Sequence, residues 1–207
     1  MRSLAKCGDR FGRIVALVLA LAPGMTSAAE LTPVPALPPA PLGLVDLDGR
    51  RVDLAALRGE VVLVNFWASW CRPCVDEMPG ILRLQQQLRD QPFRVVGINV
   101  GEAERRVRTA ARRMRLDFTI LLDNDSVTFG AWGGQVLPTS FILDRIGRIR
   151  FRAVGPLDWD DRDIVATLRR LASEGGRSTV RATLPAPAER SAATAPPDTP
   201  ACHASAC

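Results

Sequence analysis

The sequence predicts an α/β domain in which helices flank a mixed central sheet, and three observations carry that prediction. Val61 to Trp67 (VVLVNFW) is a near-continuous β-branched and aromatic run, the composition of a strand buried on both faces. Stretches of helical period follow it and alternate with further strands, which is the pattern of parallel crossovers. Near its end the domain has two short strands about a tight turn and then one more helix, so part of the sheet must be antiparallel.

Each element can be justified in order. Leu42 to Leu47 and Arg51 to Leu54 flank the turn dipeptide Asp48-Gly49 and read as an N-terminal β-hairpin. Val61 to Trp67 is the centre of the sheet. Residues 72 to 90 form a helix whose Met78, Ile81, Leu82, Leu84 and Leu88 share an apolar face, with Pro79 removing one internal hydrogen bond and kinking it. Phe93 to Val100 is a second buried strand. Glu102 to Met114 is a helix with Ala103, Val107, Ala110, Ala111 and Met114 toward the core. Thr119 to Leu122 is a short strand and Ser126 to Ala131 a short helix, a βα insertion before the closing strands. Thr139 to Leu143 and Ile149 to Ala153 pair about Asp144 to Gly147. Asp161 to Leu171 closes the domain with Ile164, Val165, Leu168 and Leu171 on one side. No repeat of 20 to 50 residues is present.

The flanks differ from this domain in composition. Arg2, Lys6, Arg10 and Arg13 precede the apolar run Ile14 to Ala22, and Ser27-Ala28-Ala29 follows it, which is the pattern of an export signal over residues 1–29. The run is too short for the roughly 20 residues that span a bilayer. If it stays uncleaved, it anchors the domain outside the membrane. Residues 30–41 are proline-rich and read as an extended linker, residues 42–173 as the folded domain, and residues 174–207 as an Ala/Pro-rich disordered tail. The predicted location is the periplasm.

With 47% hydrophobic and 24% charged residues, the chain is neither wholly disordered nor a many-spanning membrane protein. The formal charge is +5, and every basic residue except Lys6 is arginine. These arginines are scattered, with no basic stripe interleaved with aromatics, so no nucleic-acid partner is expected. Arg105, Arg106, Arg108, Arg112, Arg113 and Arg115 make one helix basic, either as a solvated face or as a docking surface for acidic partners or anionic lipid.

The chemistry sits in Trp70-Cys71-Arg72-Pro73-Cys74, where the buried strand gives way to a helix. At a helix N-terminus the unpaired N–H groups and the macrodipole favour a thiolate, so Cys71 is the expected nucleophile. Two intervening residues put Cys74 one turn on, within disulfide reach, as the resolving cysteine. Arg72 adds positive charge, and Pro73 starts the helix without wasting a donor. A zinc site lacks ligands nearby, since the one histidine, His203, lies in the tail.

The sequence Trp-Cys-Arg-Pro-Cys after Val-Val-Leu-Val-Asn-Phe-Trp-Ala-Ser, with Val136-Leu137-Pro138-Thr139 before a later strand, resembles the thioredoxin superfamily. Within it the chain is most similar to exported TlpA/ResA-like thiol-disulfide oxidoreductases, over about Leu42 to Leu171. The resemblance implies a thioredoxin fold and a cis-proline at Pro138, with Leu137 and Pro138 presenting backbone to a substrate strand beside Cys71. It implies protein disulfides as substrates, a membrane thiol-disulfide electron donor, and no cofactor beyond the redox-active Cys71-Cys74 disulfide. Where classical thioredoxin has a buried aspartate on the central strand, this chain has Asn65. The TlpA/ResA-like pattern instead carries a glutamate three residues after the second cysteine, and Glu77 stands there as the implied proton relay. Trp70 is expected at the apolar rim that meets a partner, and Trp67 in the core.

Cys202, His203 and Cys207 end the tail and fall outside this resemblance. They read as a passive disulfide, as a copper or zinc hook, or as a tethered dithiol, since about 30 flexible residues reach about 30 Å. The functional expectation is reduction of protein disulfides in cytochrome c maturation or copper-site assembly. The alternatives are a copper-binding chaperone that uses the cysteines as ligands and an oxidant that forms disulfides.

Overall fold

The computed structural model describes residues 29–174. The signal segment up to residue 28 and the tail from residue 175, with Cys202, His203 and Cys207, lie outside the described residues.

The elements run β1 (Thr32–Leu37), β2 (Leu44–Asp46), β3 (Arg51–Val52), a 3-10 turn (Leu54–Leu57), β4 (Val61–Trp67), α1 (Arg72–Gln87), β5 (Phe93–Val100), α2 (Glu104–Met114), β6 (Thr119–Asp123), α3 (Val127–Ala131), β7 (Thr139–Leu143), β8 (Ile149–Val154) and α4 (Arg162–Glu174). One eight-stranded sheet has the order β1-β8-β7-β4-β5-β6-β2-β3. β4, β5 and β6 are parallel, and the remaining pairs are antiparallel, so the sheet is mixed as expected. The β2–β3 hairpin turns at Gly49, whose positive φ of 77° suits glycine.

β4 lies near the middle of the sheet and is buried along its whole length, because side chains on both of its faces meet helices. Val61, Leu63 and Trp67 point into a core built with α1, α2 and α4. Val62, Val64 and Phe66 point into a second core on the opposite face, closed by Trp132 and Phe141. Gly97, opposite Asn65 on β5, is required by close approach: a Cβ there would meet Phe118 at 2.8 Å and the Trp67 indole at 3.1 Å.

Two expectations need correction. Residues 30–41 are not a free spacer, because Thr32–Leu37 pairs with β8 as an edge strand. Pro33 and Pro35 lack the donor that a central strand needs, but an edge has one unpaired side and tolerates them. Ala103, expected on the core face of its helix, is exposed at the N-cap of α2, and its neighbour Glu102 is the buried residue. α1 continues through Pro79, whose ring is exposed.

Candidate active site

The end of β4 delivers the chain through Ala68, Ser69 and Trp70 to Cys71, the N-cap of α1. Cys71 and Cys74 form a disulfide with Cα atoms 5.3 Å apart. The Cys74 backbone N–H donates to Cys71 Sγ at 3.3 Å, so the sulfur occupies the place of a capping acceptor. A thiolate formed there keeps that donor and the positive end of the helix. Cys71 is 6% exposed and Cys74 is fully buried, so of the two residues Cys71 alone keeps some contact with solvent.

Pro73 stands exposed in the first turn, and Arg72 turns outward to Asp76, its Nε 2.8 Å from Oδ1. Arg72 is therefore one half of an exposed ion pair and not a lone cation beside the sulfur, and such pairs act weakly through solvent. Trp70 is 66% exposed next to Cys71, whereas Trp67 is fully buried.

The register Phe66↔Thr139 between β4 and β7 sets Pro138 across from the point where the chain leaves the sheet for Cys71. The Leu137-Pro138 peptide bond is cis. Pro138 is buried and its carbonyl accepts from Gly155 N–H at 2.9 Å. Leu137 is half-buried, and its N–H and C=O take no bond from the described residues. Val136 beside it is exposed, as is Trp70 next to Cys71, so both segments present apolar surface to solvent.

Beneath the cysteines lies Glu77, three residues after Cys74 on the same face of α1 and 6% exposed. Its carboxylate accepts from three donors: Asn65 Nδ2 at 2.8 Å, Leu157 N–H at 3.1 Å and Trp159 Nε1 at 3.2 Å. Burial penalises its charge and the three donors favour it. Burial wins, and the carboxyl is pushed up to about 7. Asn65 Nδ2 also donates to Ser140 Oγ at 2.9 Å, tying Glu77 to both β4 and β7.

Glu102, a residue that sequence reasoning did not single out, is a second buried carboxylate. Its oxygens accept from Ser69 N–H, Ser69 Oγ and Asn99 Nδ2 at 2.6, 2.5 and 2.8 Å. It thereby fixes the loop that leads into Cys71. No group of three or more metal-ligating side chains occurs among the described residues.

The Redoxin family pattern matches residues 27–168. The chain belongs to this family. It is 36% identical over 118 residues to the thiol-disulfide oxidoreductase ResA of Geobacillus thermodenitrificans, a match that spans 57% of this chain and 68% of that protein. The ResA of Bacillus cereus is 30% identical over 112 residues, covering 54% of this chain and 65% of that protein. Among solved structures, a thiol:disulfide interchange protein of the thioredoxin family from Chlorobium tepidum is 28% identical, with a TM-score of 0.57, covering 66% of this chain and 97% of that one. The fold is thioredoxin-like, and this Redoxin family member is a thioredoxin-like redox enzyme. Its matched region contains the cysteine pair, Glu77, Glu102 and the cis peptide bond.

Proposed function

We propose that the chain is exported to the periplasm and there reduces protein disulfides, serving cytochrome c maturation or copper-site assembly. The observation that carries the exchange chemistry is the Cys71-Cys74 disulfide at the N-terminus of α1 with Glu77 buried one turn on.

In the reduced protein, Cys71 thiolate attacks one sulfur of a substrate disulfide. A Cys71–substrate bond forms, the substrate S–S bond breaks, and the departing sulfur takes a proton. Cys74 then loses its proton to the Glu77 carboxylate, and its thiolate attacks Cys71 Sγ. The intramolecular disulfide closes, and the second substrate sulfur leaves as thiolate. Two electrons pass from the cysteine pair to the substrate. Leu137 supplies an N–H and a C=O for an extended substrate segment, Pro138 holds that backbone in place, and Trp70 with Pro73 and Arg72 forms the rim. A dithiol donor in the membrane restores the reduced pair.

The reduction potential of the Cys71/Cys74 couple, equilibrated against dithiothreitol and glutathione buffers, tests the direction. A value near the thioredoxin value of about −270 mV supports the reductant. A value near about −120 mV, that of a strong disulfide-forming oxidant, would reverse it.

A further inference from the structure

The outer face of α2 carries more arginine than its ion pairs use. Arg105, Arg106, Arg112, Arg113 and Arg115 are exposed, and among the described residues the one ion pair on this helix joins Arg108 to Glu104. Of the acids around it, Asp46 and Asp48 accept from Arg50, Asp117 shares a cleft with Arg112 and Arg115, and buried Glu102 accepts from Ser69 and Asn99, so among the described residues no carboxylate lines the cleft of Arg105, Arg106 and Arg113. Arg112 and Arg113 sit in the last turn, where the macrodipole favours cations. Arg105 and Arg106 sit in the first turn, where it opposes them, so the stability of the helix does not explain their charge.

Their position is informative. Arg105, Arg106 and Arg113 line a cleft of about 470 Å³ whose other wall includes Ser69. Ser69 precedes Cys71 by two residues, with exposed Trp70 between them. The cationic cleft therefore opens beside the apolar rim of the disulfide. Negative charge gathers in the other half of the sheet, where Glu30, Asp158, Asp161 and Asp163 line a cleft of about 440 Å³ along Phe151 of β8 and the start of α4. β8 and the β5–α2–β6 crossover lie on opposite sides of β4 in the strand order.

We propose that the cleft between α2 and Ser69 docks an acidic segment of the protein whose disulfide meets Cys71. The proposal rests on the exchange reading above and adds what selects the substrate. Charge complementarity names the occupant: carboxylates seated on Arg105, Arg106 and Arg113 bring a neighbouring disulfide to the Trp70 rim. An anionic bilayer fits less well, because the chain enters the domain at Ala29 and Glu30 along the acid-lined cleft. A membrane approached from there meets carboxylates first.

The test separates docking from exchange. Binding of labelled, cysteine-free peptides, one rich in Asp and Glu and one rich in Lys, is followed by fluorescence anisotropy with the full chain and with an Arg105→Gln/Arg106→Gln/Arg113→Gln variant. At low salt the acidic peptide should bind about tenfold more tightly than the basic one, and added salt or the triple substitution should erase the difference. Disulfide-bearing versions of the same peptides should show the same order in reduction rate. Reduction of uncharged 2-hydroxyethyl disulfide should be equal in the two proteins, which also shows that the variant is folded. Equal affinity for both peptides, or a preference that survives the substitution, would overturn the proposal. So would arginine-dependent binding to vesicles of anionic lipid without any preference for the acidic peptide. Failure to reduce 2-hydroxyethyl disulfide would instead strike the exchange reading and leave the anisotropy result standing.

Discussion

Two buried carboxylates flank the cysteine pair, and they are held in different ways. Glu77 lies on α1 itself, and its donors come from β4 and from the connection between β8 and α4. Glu102 lies in the turn between β5 and α2, and its donors come from the loop before Cys71 and from the end of β5. Each takes three hydrogen bonds, so bond number does not distinguish them. What differs is the group at the other end. In the proposed exchange Glu77 sits one turn from a buried sulfur that must lose a proton, and burial brings its own titration to about 7. Glu102 grips the backbone that aims Cys71. The same side chain can serve proton movement or geometry, depending on what it is bonded to.

This contrast breaks first at the sulfurs. Cys71→Ser should abolish disulfide exchange, while Cys74→Ser should still attack and accumulate a mixed disulfide visible by mass spectrometry. If both variants lost attack equally, Cys71 would not be the distinct nucleophile that its exposure suggests.

At Glu77, replacement by Gln should slow resolution by about a hundredfold, the lower range for a positioned acid or base. Stability should respond with a definite sign. The folded-state value of about 7 lies above the ordinary 4.5, so the folded protein binds more protons between them. Stability should therefore fall as pH rises across that window, and Glu77→Gln should flatten the slope in denaturant titrations. A wild-type slope of the opposite sign would contradict the burial of an unbalanced carboxylate.

Glu102→Ala should act mainly on structure. It strands the Ser69 N–H and the Asn99 amide, with an expected loss of about 2 kcal/mol in chemical denaturation. A loss below about 0.5 kcal/mol, the scale of ordinary surface substitutions, would remove Glu102 from the loop's support.

The smallest effect is expected at Trp159. Phe in its place removes one donor to Glu77 and should raise the Glu77 inflection by about one pH unit, since a hydrogen bond to a charged group is worth about 1.5 kcal/mol. An unmoved inflection would mean that Leu157 and Asn65 alone set the carboxylate.

Local pattern made much of this legible. Val61–Trp67 and Phe93–Val100 have the bounds read from composition, because strands buried on both faces announce themselves as apolar runs. The cysteine pair was legible from motif and spacing, and Glu77 and Pro138 were singled out only through the resemblance to the TlpA/ResA-like pattern. Glu102 was not, since its partner Ser69 is 33 residues away and meets it only when β5 lies beside β4. Leu157 and Trp159 reach Glu77 across 80 and 82 residues from a connection with no periodic signal. Thr32–Leu37 was hidden for another reason: its prolines argue against a strand until an available edge, here β8, is known.

The central claim, that Glu77 takes the Cys74 proton as the mixed disulfide resolves, is tested most directly by single-turnover reduction of a peptide disulfide from pH 5 to 9 with wild type and Glu77→Gln. The wild-type resolution rate should rise through an inflection near 7 as the carboxylate becomes available. The variant should be slower and lack that inflection. Superimposable profiles would show that the proton leaves Cys74 by another route.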